Sequence, residues 1–96
     1  MVSAVVLINV EHDRINEAAQ ALADIDGVAE VYSVAGRYDL VAVVRAADND
    51  GLAELVTGRM LKLADIRGAE TLIAFRIYSR RDVDAAFSLG APPAGS

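Results

Sequence analysis

Hydrophobic residues fall along this chain in four β-rich runs separated by two amphipathic stretches. Ala4–Val10 (AVVLINV) is an apolar run of the kind that makes a strand buried on both faces. Glu11-His12-Asp13 breaks it, and Asp13 suits a helix N-cap, where a carboxylate accepts backbone N–H bonds. Across Arg14–Ile25, residues Ile15, Ala18, Ala19, Leu22 and Ile25 share one helical face, with Glu17, Gln20 and Asp24 on the other. Gly27 is a natural C-terminal stop. A second strand is expected from about Val28 to Ala35 and a third from about Tyr38 to Arg45. Asp48-Asn49-Asp50 supplies N-cap candidates for a second helix over about Gly51–Leu63, with Leu52, Leu55, Val56, Met60 and Leu63 inward. Asp65–Gly68 reads as a connection and Glu70–Tyr78 as the fourth strand. One or two helical turns are expected at Arg80–Phe87, and Gly90–Ser96 as a disordered tail. The domain itself therefore spans 1–89 and the tail 90–96.

This order, βαββαβ, is that of an α+β, ferredoxin-like fold: a four-stranded antiparallel sheet with two helices on one face. A sheet covered on one face should alternate apolar and polar residues, and these strands do not. Val5 and Leu7 oppose Ala4, Val6, Ile8 and Val10, while Leu40, Ala42 and Val44 oppose Val41 and Val43. In the fourth strand Leu72 and Ala74 oppose Ile73, Phe75 and Ile77. The second face must meet something apolar, and a second copy of the chain is the simplest occupant. The sequence thus predicts a homodimer.

Composition narrows the function classes. With 96 residues the chain makes one domain, and 54% hydrophobic residues is high for so much surface. A net charge of −5 and only five aromatic residues argue against a nucleic-acid surface. No run approaches the roughly 20 apolar residues that cross a bilayer. Nor does the N-terminus resemble a signal peptide, and a cytoplasmic location is expected. Without cysteine there is no disulfide, thiolate metal site or thiol nucleophile.

The candidate chemistry gathers at the tip of the central hairpin, Ala35-Gly36-Arg37-Tyr38-Asp39. Gly36 suits the turn, and its missing side chain also leaves backbone N–H groups open to a ligand carboxylate. Asp39 suits either a turn, bonding nearby amides, or a ligand ammonium group. Arg37 sits at the tip, solvated or paired with an acid of a neighbouring dimer. Tyr38 suits an interface, with its hydroxyl left wet. His12 is the only histidine; beside Glu11 and Asp13 it reads as a surface residue, and neither a metal site nor a cofactor is expected.

The run Val34-Ala35-Gly36-Arg37-Tyr38-Asp39-Leu40, followed by an apolar strand, an Asp-containing break and a Leu-rich helix, resembles the Lrp/AsnC family of feast/famine regulators. Specifically, it is similar to their C-terminal effector-binding (RAM) domain. Glu70–Arg76, Tyr78-Ser79-Arg80 and Ala86-Phe87-Ser88 extend the likeness, which covers roughly Val2 to Leu89. It implies dimers that pack sheet to sheet into an α/β barrel, and often tetramers or octamers. It also implies small effectors, usually amino acids, bound between dimers near the Gly-x-Tyr-Asp hairpin and the start of the fourth strand. Carried over residue by residue, the effector site is Gly36, Arg37, Tyr38, Asp39, Ala69 and Thr71. Ala69 stands where the family has the first Thr of a Thr-x-Thr pair; Thr71 fits the second.

Full-length members carry a DNA-binding helix-turn-helix before this domain. Here the first strand begins at about residue 3, so either a stand-alone effector domain or a fragment is expected, and Met1 favours the stand-alone form. Such a domain would act on transcription indirectly, with co-assembly with full-length relatives as one route. No direct nucleic-acid or membrane partner is implied. The alternative is a small dimeric α/β-barrel enzyme of the cofactor-free monooxygenase or isomerase type. That chemistry needs a polar cluster between sheet and helices, and the inward positions are nearly all aliphatic, so the expectation is a regulator and not an enzyme.

Overall fold

The computed structural model describes residues 1–78 and 80, and the helical turns expected after Arg80 and the tail at 90–96 lie outside the described residues. Strand β1 (Val2–Val10) leads through a 3-10 turn, His12–Arg14, into helix α1 (Ile15–Ala23). Strands β2 (Val28–Ser33) and β3 (Leu40–Ala46) follow as a hairpin. Helix α2 (Asn49–Ala53) widens into a π-helical stretch, Glu54–Arg59, and tightens into a 3-10 turn, Met60–Lys62, before strand β4 (Ile66–Ile73). The sheet order is β2-β3-β1-β4, antiparallel at each pairing, as an α+β ferredoxin-like fold requires.

Local chemistry accounts for the boundaries. Asp48 is extended and its carboxylate accepts from Gly51 N at 2.7 Å, which caps α2. The expected Asp13 cap does not form: Asp13 lies inside the 3-10 turn, and neither residue capping these two helical segments, Glu11 or Arg14, makes a side-chain cap bond. A tight first turn already uses the N–H groups that a cap would serve; Arg14 N, for example, donates to Glu11 O at 2.9 Å. After α1 the chain turns at Gly27, whose φ of 98° favours glycine. Strand β4 begins at Ile66, four residues before the sequence expectation, and ends at Ile73. The stretch Asp65–Gly68 looks like a connection in sequence, yet within it Ile66 pairs with Val10 and Gly68 with Asn9 across a bulge.

The core lies between the helices and the two central strands. Ala4, Val6, Ile8 and Val10 of β1 and Leu40, Ala42 and Val44 of β3 are buried beneath Ala18, Leu22, Leu52, Leu55, Val56 and Met60. Among the described residues no polar or charged side chain is buried. The register puts Val5 opposite Val43 and Leu72, and Leu7 opposite Val41, on the face without helices. These residues are only partly covered, and Leu72 is 46% exposed. The two-faced apolar pattern is therefore a property of the folded sheet.

Candidate functional site

The β2–β3 hairpin closes through its last residue. Val34 N donates to Asp39 O at 3.0 Å, and Asp39 N donates to Ile8 O at 2.9 Å. The Asp39 carboxylate in turn accepts from Val10 N at 2.9 Å through Oδ2. Asp39 thus ties the entry of β3 to the end of β1. It is partly buried, whereas Gly36 and Arg37 at the tip are exposed. Gly36 has φ 140°, and no atom lies within 4 Å of where a Cβ would stand, so the tip is open around it.

Tyr38 points its hydroxyl to β4, donating to Glu70 Oε1 at 2.6 Å. The Glu70 carboxylate raises the Tyr38 pKa above its ordinary 10.0, first through that hydrogen bond, then with partial desolvation and its negative charge, against a smaller opposing effect of Arg37. The contact pins the hairpin entry to the outer strand.

Beside this contact an open cleft of about 360 Å³ is lined by Asn9, Val10, His12, Asp39, Arg67 and Gly68. It lies where β1 ends and β3 and β4 begin. Gly68 has open space where a Cβ would stand. Asn9 follows Ile8 and precedes Val10, both buried under the helices, so strand alternation turns it to the other face. Arg67 Nε is 3.9 Å from Glu11 Oε2, both half-exposed, which is an ion pair without a hydrogen bond. Among the described residues no group of three His, Cys, Asp or Glu side chains could hold a metal ion.

Of the six residues expected at the site, Asp39 alone lines this cleft, and Tyr38 lies one residue away in sequence. Ala69 and Thr71 pair with Ile8 and Val6, so they project on the helix-bearing face and are exposed beyond the helices. Within one protomer they point away from Asn9 and its face. Asn9, His12, Arg67, Gly68 and Glu70 are the residues that sequence reasoning did not select. One signal was available: Asn9 is the lone polar side chain in an otherwise apolar run.

The family model described as the Lrp/AsnC ligand binding domain matches residues 3–84. The HTH-type transcriptional regulator LrpA1 of Halobacterium salinarum is 35% identical over 66 residues, 69% of this chain and 46% of its own length. The chain thus spans about half the length of that curated relative. The crystal structure of TTHA0845 from Thermus thermophilus superposes with a TM-score of 0.78 at 46% identity, covering 83% of this chain and 100% of the other. A feast or famine regulatory protein from M. tuberculosis, complexed with L-methionine, gives a TM-score of 0.71 at 31% identity over 84% of this chain and 55% of its own.

Proposed function

Because the chain belongs to the Lrp/AsnC family through its ligand-binding domain, we propose that it is a regulatory module that binds an amino acid and oligomerises. In this reading it is cytoplasmic and modulates transcription indirectly, and its domain spans 1–89. The observation that carries the reading is Asp39. Its carboxylate stands in an open cleft with one bond to Val10 N, leaving acceptor capacity for a ligand ammonium group. The M. tuberculosis relative, complexed with L-methionine, supports an amino acid as the ligand class.

Assembly follows from the two sheet faces. Val5, Leu7, Tyr32, Val41, Val43 and Leu72 share the face without helices by register, and a second copy covers them to complete an α/β barrel. Ala69 and Thr71, on the opposite face, reach the ligand from a neighbouring dimer, so the effector sits between dimers and favours tetramers to octamers. A ligand shifts that assembly only by binding one state better than another. Co-assembly with full-length, DNA-binding relatives would use the same surfaces.

The relatives are named transcriptional regulators, and the enzyme alternative lacks support: the described core between sheet and helices holds only apolar side chains. Thermal-shift screening of the twenty amino acids tests the proposal, with light scattering to follow mass. The expected result is a stabilising amino acid whose effect disappears in Asp39→Ala and whose binding changes the oligomer distribution. An unchanged response in that variant removes Asp39 from the site.

A further inference from the structure

The cleft is unusual in what it lacks. Of its six lining residues only Val10 carries an aliphatic side chain; the others are Asn9, His12, Asp39, Arg67 and Gly68. A ligand with an apolar side chain gains affinity by removing that side chain from water against apolar walls. One valine, already buried in the core at 1% exposure, offers little such wall. The cleft instead offers an excess of donors. Arg67 brings a guanidinium and His12 an imidazole, against the single carboxylate of Asp39. A neutral amino acid uses one anion for its ammonium and one donor group for its carboxylate, which leaves a donor side chain over.

From this, and resting on the amino-acid reading above, we infer that the cleft selects an amino acid with a second carboxylate, of the aspartate or glutamate class. Arg67 receives the side-chain carboxylate, Asp39 the ammonium, and the His12 imidazole the α-carboxylate. Arg67 suits the role because guanidinium and carboxylate meet as a bidentate pair. Its present partner is weak: Glu11 stands at 3.9 Å, beyond hydrogen-bond length, with both side chains 55% exposed. Glu11 is then a competitor, an internal carboxylate that the ligand carboxylate displaces from Arg67. Gly68 keeps the approach clear, with nothing within 4 Å of its missing Cβ. Loss of Arg67 and loss of the Glu11 charge therefore act on acid binding with opposite signs, which a merely structural role would not produce.

The test is isothermal titration of the full chain with L-aspartate, L-glutamate, L-asparagine, L-glutamine, L-methionine and L-leucine, in the parent protein and in Arg67→Ala and Glu11→Gln. The parent should bind an acidic amino acid about tenfold more tightly than its amide, as expected for one charge-assisted contact. Arg67→Ala should erase that difference while leaving the amide's affinity nearly unchanged. Glu11→Gln should tighten the acidic ligand. Both side chains are half-exposed, so the variants are expected to fold, and their unliganded melting temperatures check it. Asp39-dependent binding of methionine or leucine in preference to the acidic amino acids overturns the inference and leaves the amino-acid reading standing. No binding by any of the six overturns the inference, and the full panel of twenty then decides the broader reading. Acid preference that survives Arg67→Ala, or weaker acid binding in Glu11→Gln, overturns the roles given to these two residues.

Discussion

Tyr38 Oη donates to Glu70 Oε1 at 2.6 Å, joining residues 32 positions apart in sequence. Between them in the sheet lies β1, since the order is β3-β1-β4. The contact spans the helix-free face, where Glu70 pairs with Leu7. It adds a second tether to the hairpin entry, beside the Asp39 bond to Val10 N. Removing it should free the tip without touching the core. In Glu70→Ala and in Tyr38→Phe, amide exchange across 36–39 should quicken, and the double variant should be no faster than either single one. Glu70→Gln, which keeps an acceptor, should restore much of the protection. Additive effects in the double variant would separate the two residues.

The same bond has a pH signature. The Tyr38 pKa is raised above 10.0 in the folded chain, chiefly because its hydroxyl donates to the Glu70 carboxylate. A group whose folded pKa is raised contributes its stability fully below the unfolded value and loses it as pH rises through the folded value. Protection of the hairpin tip should therefore stay level from neutral pH to about 10 and decline above. Tyr32, whose hydroxyl donates to Glu30 Oε1 at 2.7 Å, is raised for the same reason. Ultraviolet titration of the phenols should show both, and Tyr38→Phe should remove one of the two late-titrating components.

Much of this arrangement was legible in the sequence. The two-faced strands reported the side-chain faces correctly, because alternation is fixed by the extended backbone itself: Val5 and Leu7 do face away from Val6 and Ile8. The Asp48 cap and the inward residues of the second helix were legible too, from local chemistry. The start of β4 was not. Arg67 and Gly68 carry no strand propensity; Gly68 pairs with Asn9 and Ile66 with Val10, and Arg67 is the extra residue of the bulge between them. Nor was the π-helical stretch, whose Gly58 leaves room for the Glu54 carboxylate: a Cβ there would lie 2.6 Å from Glu54 Oε1. The cleft stayed hidden for a related reason. Its walls come from β1, the turn after it, the entry to β3 and the start of β4, and long-range pairing alone gathers them.

Two glycines of positive φ should respond differently to alanine. At Gly27, with φ 98°, an added Cβ would lie 2.9 Å from Leu55 Cδ2 and 3.1 Å from the Arg45 carbonyl oxygen. Leu55 belongs to the core, and Gly27 O accepts from Arg45 N at 2.8 Å, so neither neighbour gives freely. At Gly36, with φ 140°, the added carbon meets open space and only backbone strain is felt. Strain alone costs about 1–3 kcal/mol, and the Gly27 contacts add to it. Denaturant melts should rank Gly27→Ala clearly below Gly36→Ala, and equal stabilities would contradict the steric account.

At Asp39, isosteric and truncating substitutions separate structure from binding. The carboxylate accepts from Val10 N at 2.9 Å, and Val10 is buried. Asp39→Ala leaves that N–H without its acceptor and should cost about 1–3 kcal/mol. Asp39→Asn keeps an acceptor oxygen, so most of that stability should return. What asparagine cannot supply is the negative charge that meets an ammonium group. The expected pattern is near-parental stability in Asp39→Asn with ligand response lost. A full ligand response in Asp39→Asn would show that the charge is not used.

The helix-free face supplies the last test. Val43 lies opposite Val5, and Val41 opposite Leu7, at the centre of the sheet on that face. Leu72 continues the patch onto β4 opposite Val5. None of the three is a core residue, since the buried positions of β3 are Leu40, Ala42 and Val44. A carboxylate placed at Val43 would remain solvated in a lone protomer, but pairing two such faces would bury it without a partner, which is strongly unfavourable. Val43→Asp should therefore shift the protein toward monomer in light scattering, with far-ultraviolet circular dichroism unchanged, because the helix-side core is untouched. Leu72→Asp, nearer the sheet edge, should act in the same direction and more weakly. A Val43→Asp protein that keeps the parental mass would assign assembly to another surface.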